Sequence, residues 1–244
     1  MSFGRYAHMA ILEPDKLDLV KPLPESVKRR SGKDWEALQS DNPGITFLSP
    51  SEWSETGGKI ESAKRVAESV YAHPIVADLM RDVEKECSMI WTDNLTGLRC
   101  KGRTDALAKS MKHIVDFKMT SRETPYQITR AAYGFGYHLQ VGHYCRGLEY
   151  LRAKLTDKVL LPATFWFVFI EENPPHMILL ANGMDAFDER NGEPGHGNYY
   201  QIGAEQIEQA LKIVADCERA NDWPGYPLDP VEMSIPRWAG FEGM

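Results

Sequence analysis

Residues 112 to 119, KHIVDFKM, constrain the fold more than any other stretch of this chain. Ile114, Val115 and Phe117 are β-branched or aromatic and favour an extended, buried strand. Side chains alternate across a strand, so Asp116 and Lys118, two residues apart, emerge on the same face. Ionised groups on a mostly apolar strand are costly unless they are paired or bind a metal. A chain that buries this strand must therefore build a sheet around it and keep a polar pocket beside it.

The flanking patterns supply that sheet. Segments 86 to 92 and 98 to 108 bracket the turn DNLTG, and with 112 to 119 they predict a three-strand meander. From Pro125 to Leu151, apolar positions at Ile128, Ala131, Ala132, Phe135, Leu139 and Leu148 predict one long helix opened by a proline. ATFWFVFIEE, at 163 to 172, reads as a buried strand, with HMILLAN after an Asn-Pro-Pro turn as its hairpin partner. Residues 203 to 220 read as a closing helix. Ahead of the meander, GRYAHMAILEP predicts a short helix stopped by Pro14, with Ala7, Ala10 and Ile11 as its apolar stripe and His8 one step off it. Residues 14 to 58, rich in prolines and turn signals, predict an irregular excursion, and 59 to 84 two helices divided at Pro74. The sum is an α+β domain with a mixed sheet flanked by helices. One domain spans 1–244: a helical N-terminal part over 1–85, a core over 86–182, and a C-terminal helix and tail over 183–244.

Composition narrows the function. No run approaches the roughly 18 apolar residues of a membrane span, and MSFGRYAHMA lacks a signal-peptide core, so a cytoplasmic location is expected. Cys87, Cys100, Cys145 and Cys217 form no CxxC pair and read as free thiols. Cys217 stands alone near the end, which argues against an iron–sulfur cluster. Lys59 is followed by Ile60, which excludes a P-loop, and no Gly-x-Ser-x-Gly elbow occurs. Net charge is −7, unfavourable for a nucleic-acid ligand, but residues 171 to 244 carry 14 acidic and 4 basic side chains. The first 170 residues are therefore net positive, and a polyanion is expected to meet that part.

Asp105, near the end of the second meander strand, joins Asp116 and Lys118 as the chemical nucleus. Two carboxylates beside an amine can hold a divalent cation such as magnesium or manganese, since hard oxygen ligands select those ions. Downstream, Gln140 and Tyr144 lie four apart and share a helix face. Glu86 enters the first strand, Thr120 and Ser121 follow the third as candidate phosphate donors, and Lys101 and Arg103 belong to a basic stretch over 99 to 122.

These features resemble the PD-(D/E)XK nuclease superfamily, in the branch with a Gln-x-x-x-Tyr helix, and within it the RecE, or exodeoxyribonuclease VIII, family. The matching stretches are GRYAHMAILEPDKLD, KRRSGKDWEAL, EKECSMIWTDNLTGLRCKGRTDAL, IVDFKMTS, YGFGYHLQVGHYCRGL, WPGY and SIPRW. The resemblance implies a restriction-endonuclease-like core and phosphodiester hydrolysis by an attacking water. It makes His8, Asp105, Asp116 and the main-chain carbonyl of Phe117 the metal ligands, and Lys118 the catalytic lysine. Gln140, Tyr144 and Glu86 are supporting groups. It further implies a Mg2+- or Mn2+-dependent exodeoxyribonuclease that degrades linear duplex DNA 5′ to 3′ and leaves 3′ overhangs. The overhang would pass to a single-strand annealing protein in phage or prophage recombination, and the enzyme would be a tetrameric ring. The chain departs from the pattern in starting few residues before His8. The competing expectations are an inactive nuclease-fold module that binds DNA or protein, and a structure-specific endonuclease of the same superfamily.

Overall fold

The structure, a computed structural model, describes residues 3–53, 58–121, 124–155, 163–184, 199–226, 229, 230 and 232. The chain opens with α1 (Phe3–Leu12), which ends where Pro14 begins a 3-10 turn (Pro14–Leu19). β1 (Val20–Pro22), α2 (Lys33–Asp41), β2 (Thr46–Leu48), α3 (Pro50–Trp53), α4 (Lys59–Ala72) and α5 (Pro74–Leu79) follow. The core then runs β3 (Val83–Thr92), β4 (Arg99–Ala108), β5 (His113–Thr120), α6 (Pro125–Gly134), α7 (Tyr137–Leu155), β6 (Thr164–Glu171), β7 (Ile178–Asn182) and α8 (Tyr199–Ala220).

The strands β3 to β7 form one five-stranded sheet in sequence order. All neighbours are antiparallel except β5 and β6, which pair in parallel from His113↔Thr164 to Thr120↔Glu171. That parallel pairing requires a crossover, and α6 and α7 supply it. The expected meander, the buried β6 and its hairpin partner β7 are all present, so the chain has the mixed α+β architecture that the sequence pattern predicts.

Two cores sandwich the sheet. On one face Met89, Trp91, Cys100, Leu107, Ile114, Phe165 and Phe167 pack against Val141, Cys145 and Leu148 of α7. On the other, Ala106, Val115, Phe117, Val168 and Ile170 meet Ala7 and Ile11 of α1 and Val66 and Val70 of α4. α1 is pinned at its end: the Ile11 carbonyl accepts from Tyr71 Oη (2.7 Å) and Lys85 Nζ (3.2 Å). Those donors satisfy an orphan carbonyl, and the ammonium suits the negative end of the helix.

Two expectations are corrected. Residues 125 to 151 are not one helix. Gly136 adopts a left-handed φ of 73°, open to glycine and costly for other residues, and the chain breaks between α6 and α7 there. Nor is 14 to 58 wholly irregular among the described residues. β1 and β2 pair in parallel, and Val20 and Leu48 bury against Tyr6 and Ala63. Glu52 ties this region together: it accepts from Lys59 Nζ (2.8 Å) and Ser49 Oγ (2.9 Å) and pairs with Arg30. Those donors, Lys59 foremost, hold its carboxyl well below the usual range. The SIPRW motif lies outside the described residues.

Candidate active site at the fork between β4 and β5

β4 and β5 pair only at Ala106↔Val115 and Leu107↔Ile114. Beyond those pairs the two strands diverge into a fork. Its cause lies in a crease shared by β3 and β4. Lys85↔Ala106 and Cys87↔Thr104 are paired, whereas Glu86 and Asp105 between them are not. Glu86 has a φ of +52°, a left-handed value that costs a non-glycine residue about 1 kcal/mol. Simple alternation fails across this point. Val83 packs on the α1 side while Cys87, Met89 and Trp91, of the same parity, pack on the α7 side. On β4, Cys100 belongs to the α7 side and Ala106 to the α1 side.

Asp105 stands at that crease and fills the fork. Its Oδ2 accepts the Phe117 backbone N–H at 2.7 Å, replacing the ladder bond that a regular sheet would make. In a strand the N–H and C=O of one residue point to the same side, so the Phe117 carbonyl is directed into the same gap. His8 approaches from α1, with Nδ1 3.6 Å from Asp105 Oδ2 and its ring edge-on to Phe117. Asp116 lies on the α7 side and is almost fully buried. Gln140 Nε2 donates to its Oδ1 at 2.5 Å. Lys118 Nζ stands 2.5 Å from its Oδ2 in a close ion pair. Lys118 also lies over the Tyr137 ring, 4.9 Å from its centroid.

The charged groups at the fork shift one another's protonation. Burial, then the neighbouring Asp116 charge, pushes the Asp105 carboxyl up to about 6, against relief from His8, the Phe117 N–H and Lys118. Burial alone would lower the Lys118 ammonium, but Asp116, Asp105 and Tyr137 outweigh it and hold it above its usual value. Lys118 is therefore a hydrogen-bond donor at neutral pH. Tyr144 is raised by burial, against a lowering influence of the Arg103 backbone N–H, and it feels the charges of Asp116, Lys118 and Asp105. Its ring lies directly on Gly102: a Cβ there would come within 2.9 Å of the ring, so only glycine admits Tyr144.

Asp105, Asp116, Lys118, Gln140 and His8 thus meet at the fork, with Tyr144 beside it. Glu86 does not join them: its carboxylate pairs with Arg103 Nε at 2.6 Å. Arg103 is engaged accordingly, while Arg99, Lys101 and Arg103 recur every second residue and the three side chains are exposed along β4. The Lys101 carbonyl accepts from His143 Nε2 at 3.1 Å. Thr120 is buried at the end of β5 and Ser121 is exposed, whereas Arg122 of the basic stretch lies outside the described residues. Among the described residues no three His, Cys, Asp or Glu side chains close into a ready metal cage. Tyr137 is the group that sequence reasoning missed. It shares a helix face with Gln140 and Tyr144 at i, i+3 and i+7, and that spacing was its available signal. All four cysteines are free, and burial pushes the Cys145 thiol up to about 12. No helix among the described residues is long and apolar enough to cross a membrane.

A family model described as "PDDEXK-like domain of unknown function (DUF3799)" matches residues 1–228. No curated protein matches the chain. Among solved structures, one described as a "putative exonuclease" from Eubacterium rectale shares 16% identity, with a TM-score of 0.46 over 80% of this chain and 71% of that one. A second, of the protein SSO0001, shares 14% identity, with a TM-score of 0.31 over 63% of this chain and 67% of that one. At these values neither likeness decides fold or activity.

Proposed function

The chain belongs to the PDDEXK-like family whose model spans residues 1–228, and from that membership we propose that it is a divalent-metal-dependent exodeoxyribonuclease acting on the ends of linear duplex DNA. The observation that carries this reading is the convergence of Asp105, Asp116 and Lys118 at the β4–β5 fork, with Gln140 fixing one oxygen of Asp116.

The residues fit a hard cation. Asp116 is buried beside Lys118, and Asp105 is forced upward by burial and then by its neighbour's charge, a cost that a divalent ion relieves. Asp105, Asp116, the Phe117 carbonyl and His8 would hold it, with magnesium or manganese as the ion. Such an ion supplies Lewis-acid stabilisation of charge developing on phosphoryl oxygens and lowers the pKa of water. The chain's own groups do the positioning. Gln140 holds Asp116 Oδ1 and so aims Oδ2 into the site. Lys118, an ammonium, donates to the attacking water or to a phosphoryl oxygen and stabilises the pentavalent transition state. Lys101, Arg103, Thr120 and Ser121 are proposed to hold the phosphate backbone, and Glu86 to set Arg103 for that task. Cutting from the 5′ end, a 3′ overhang delivered to a single-strand annealing protein, and a ring-shaped homo-oligomer complete the reading.

The test is degradation of linear duplex DNA labelled at either 5′ or 3′ ends, with magnesium or manganese, beside a closed circle. The linear duplex is expected to lose its 5′ label first while the circle survives. Asp116→Ala and Lys118→Ala are each expected to slow cutting by about a hundredfold or more. Binding without cutting by the unmutated chain would make the protein a DNA-binding module instead, and cutting of the circle would make it an endonuclease.

A further inference from the structure

We infer that the outward face of α6 is a stacking platform for unpaired DNA bases, placed to receive the strand end that enters the fork; this rests on the nuclease reading and names the substrate form at that site. Tyr126, Arg130 and Tyr133 occur at i, i+4 and i+7 of α6 and so line one face, opposite the buried Ile128 and Ala132. Tyr126 and Tyr133 are each 53% exposed, and Phe135, just past the helix, is 64% exposed. Three large exposed rings within ten residues have no purpose in the core, and burying them would stabilise the helix.

The rings are ordered. Tyr133 stacks on His138, 4.6 Å between centroids and 16° from parallel, and His138 in turn is fixed by Gln206 at 3.0 Å. One face of Tyr133 is therefore backed by imidazole and the ring still keeps half its surface open. Arg130 lies between the two tyrosines and reaches Tyr126 Oη at 3.4 Å. An aromatic, cation, aromatic succession is the pattern that holds bases by their π-faces and the backbone by charge.

Position and charge favour nucleic acid over a protein surface. Phe135 contacts Tyr137 at 5.9 Å, and that same Tyr137 ring carries Lys118 at 4.9 Å. Phe135, next to the end of α6, is therefore linked to the catalytic lysine through one intervening ring. From Thr124 to Leu148 the chain has no acidic side chain, although the whole protein is net negative. α6 also follows directly on β5, the strand that carries Asp116 and Lys118. A strand whose terminal bases stack on α6 would present its phosphates to the fork.

The experiment measures binding of a dye-labelled single-stranded oligonucleotide, and of the same strand with abasic sugars, to the full chain in chelator. The variants are Tyr126→Ala with Tyr133→Ala, and Tyr126→Phe with Tyr133→Phe. The alanine pair is expected to weaken binding of the normal strand by about fivefold or more, the loss seen when base–aromatic stacking is removed. The phenylalanine pair should bind as the unmutated chain does, and abasic sugars should abolish the difference between them. Equal affinity of the alanine pair would overturn the platform, as would an unmutated chain that binds both strands equally well. A change of oligomeric state with unchanged DNA affinity would also overturn it and assign the face to a second copy. Cutting of linear duplex is measured in parallel: cutting with equal affinities sinks the platform alone, and a chain that neither cuts nor binds DNA sinks the nuclease reading too.

Discussion

Asp105 shows how one residue converts a sheet defect into chemistry. A backbone partner for the Phe117 N–H is lacking because β4 and β5 part, and the Asp105 carboxylate takes its place. The same position buries the group beside Asp116, so its carboxyl rises from the ordinary 3.8 to about 6. The folded protein therefore binds more protons than the unfolded chain between those values. Stability from this group is full below about pH 4 and is lost as pH rises through about 6, by up to about 3 kcal/mol. Asp105→Asn keeps an acceptor for the Phe117 N–H and removes the charge. In chelator, urea unfolding is expected to find this variant more stable than the parent at about pH 8, with the gain vanishing below about pH 4. A variant less stable at pH 8 would contradict the electrostatic account, and its nuclease activity should be lost at every pH.

At the scale of elements, α7 decides the site because it brings Tyr137, Gln140 and Tyr144 over β4 and β5. Its own placement depends on a contact with α8 that leaves no room for side chains. A Cβ on Gly203 would lie 1.8 Å from the His138 carbonyl oxygen, and one on Gly142 would lie 2.3 Å from the Gly203 backbone. A second anchor is Arg146, which donates to Asp93 in the β3–β4 turn at 2.7 Å and to Glu208 of α8 at 3.4 Å. Gly203→Ala should therefore force the helices apart and cost about 3 kcal/mol or more. The check is a paired measurement of thermal unfolding and of DNA cutting. Because α7 carries Gln140, activity is expected to fall even at temperatures where the variant is fully folded. Full activity in a destabilised variant would show that α8 does not set the position of α7.

For the whole molecule, the unequal distribution of charge is the governing fact. Fourteen of the acidic side chains lie beyond residue 170, and β4 near the fork carries Arg99, Lys101 and Arg103. On the proposed reading, the exposed cations of β4 steer a polyanion to the fork. Affinity for duplex DNA should fall linearly with salt on logarithmic axes. Lys101→Ala is expected to lower that slope by about 0.9, the value for one lost phosphate contact, without altering sequence preference. An unchanged slope would place the DNA elsewhere. Periodicity had already fixed much of this architecture: the meander, the helices divided at Pro74, and β6 with β7 follow from local patterns that the packed chain keeps. It failed at Gly136, where apolar spacing continues across a break that only the left-handed backbone reveals.

The residue types at the fork were legible in the sequence because Asp-x-Lys on an apolar strand and Gln-x-x-x-Tyr on a helix are short-range patterns. Their spacing within each element follows from backbone geometry alone. Which of them would meet was not legible. Glu86 and Asp105 both fall in the unpaired gap between Lys85↔Ala106 and Cys87↔Thr104, yet the carboxylate of Glu86, at a left-handed φ, pairs with Arg103 while that of Asp105 turns into the fork. Contacts such as Gln140 with Asp116, or Lys118 with the Tyr137 ring, join elements distant in sequence. They exist only after the two cores have packed, because burial of apolar surface on both faces of the sheet, not any local preference, brings α1 and α7 to the fork.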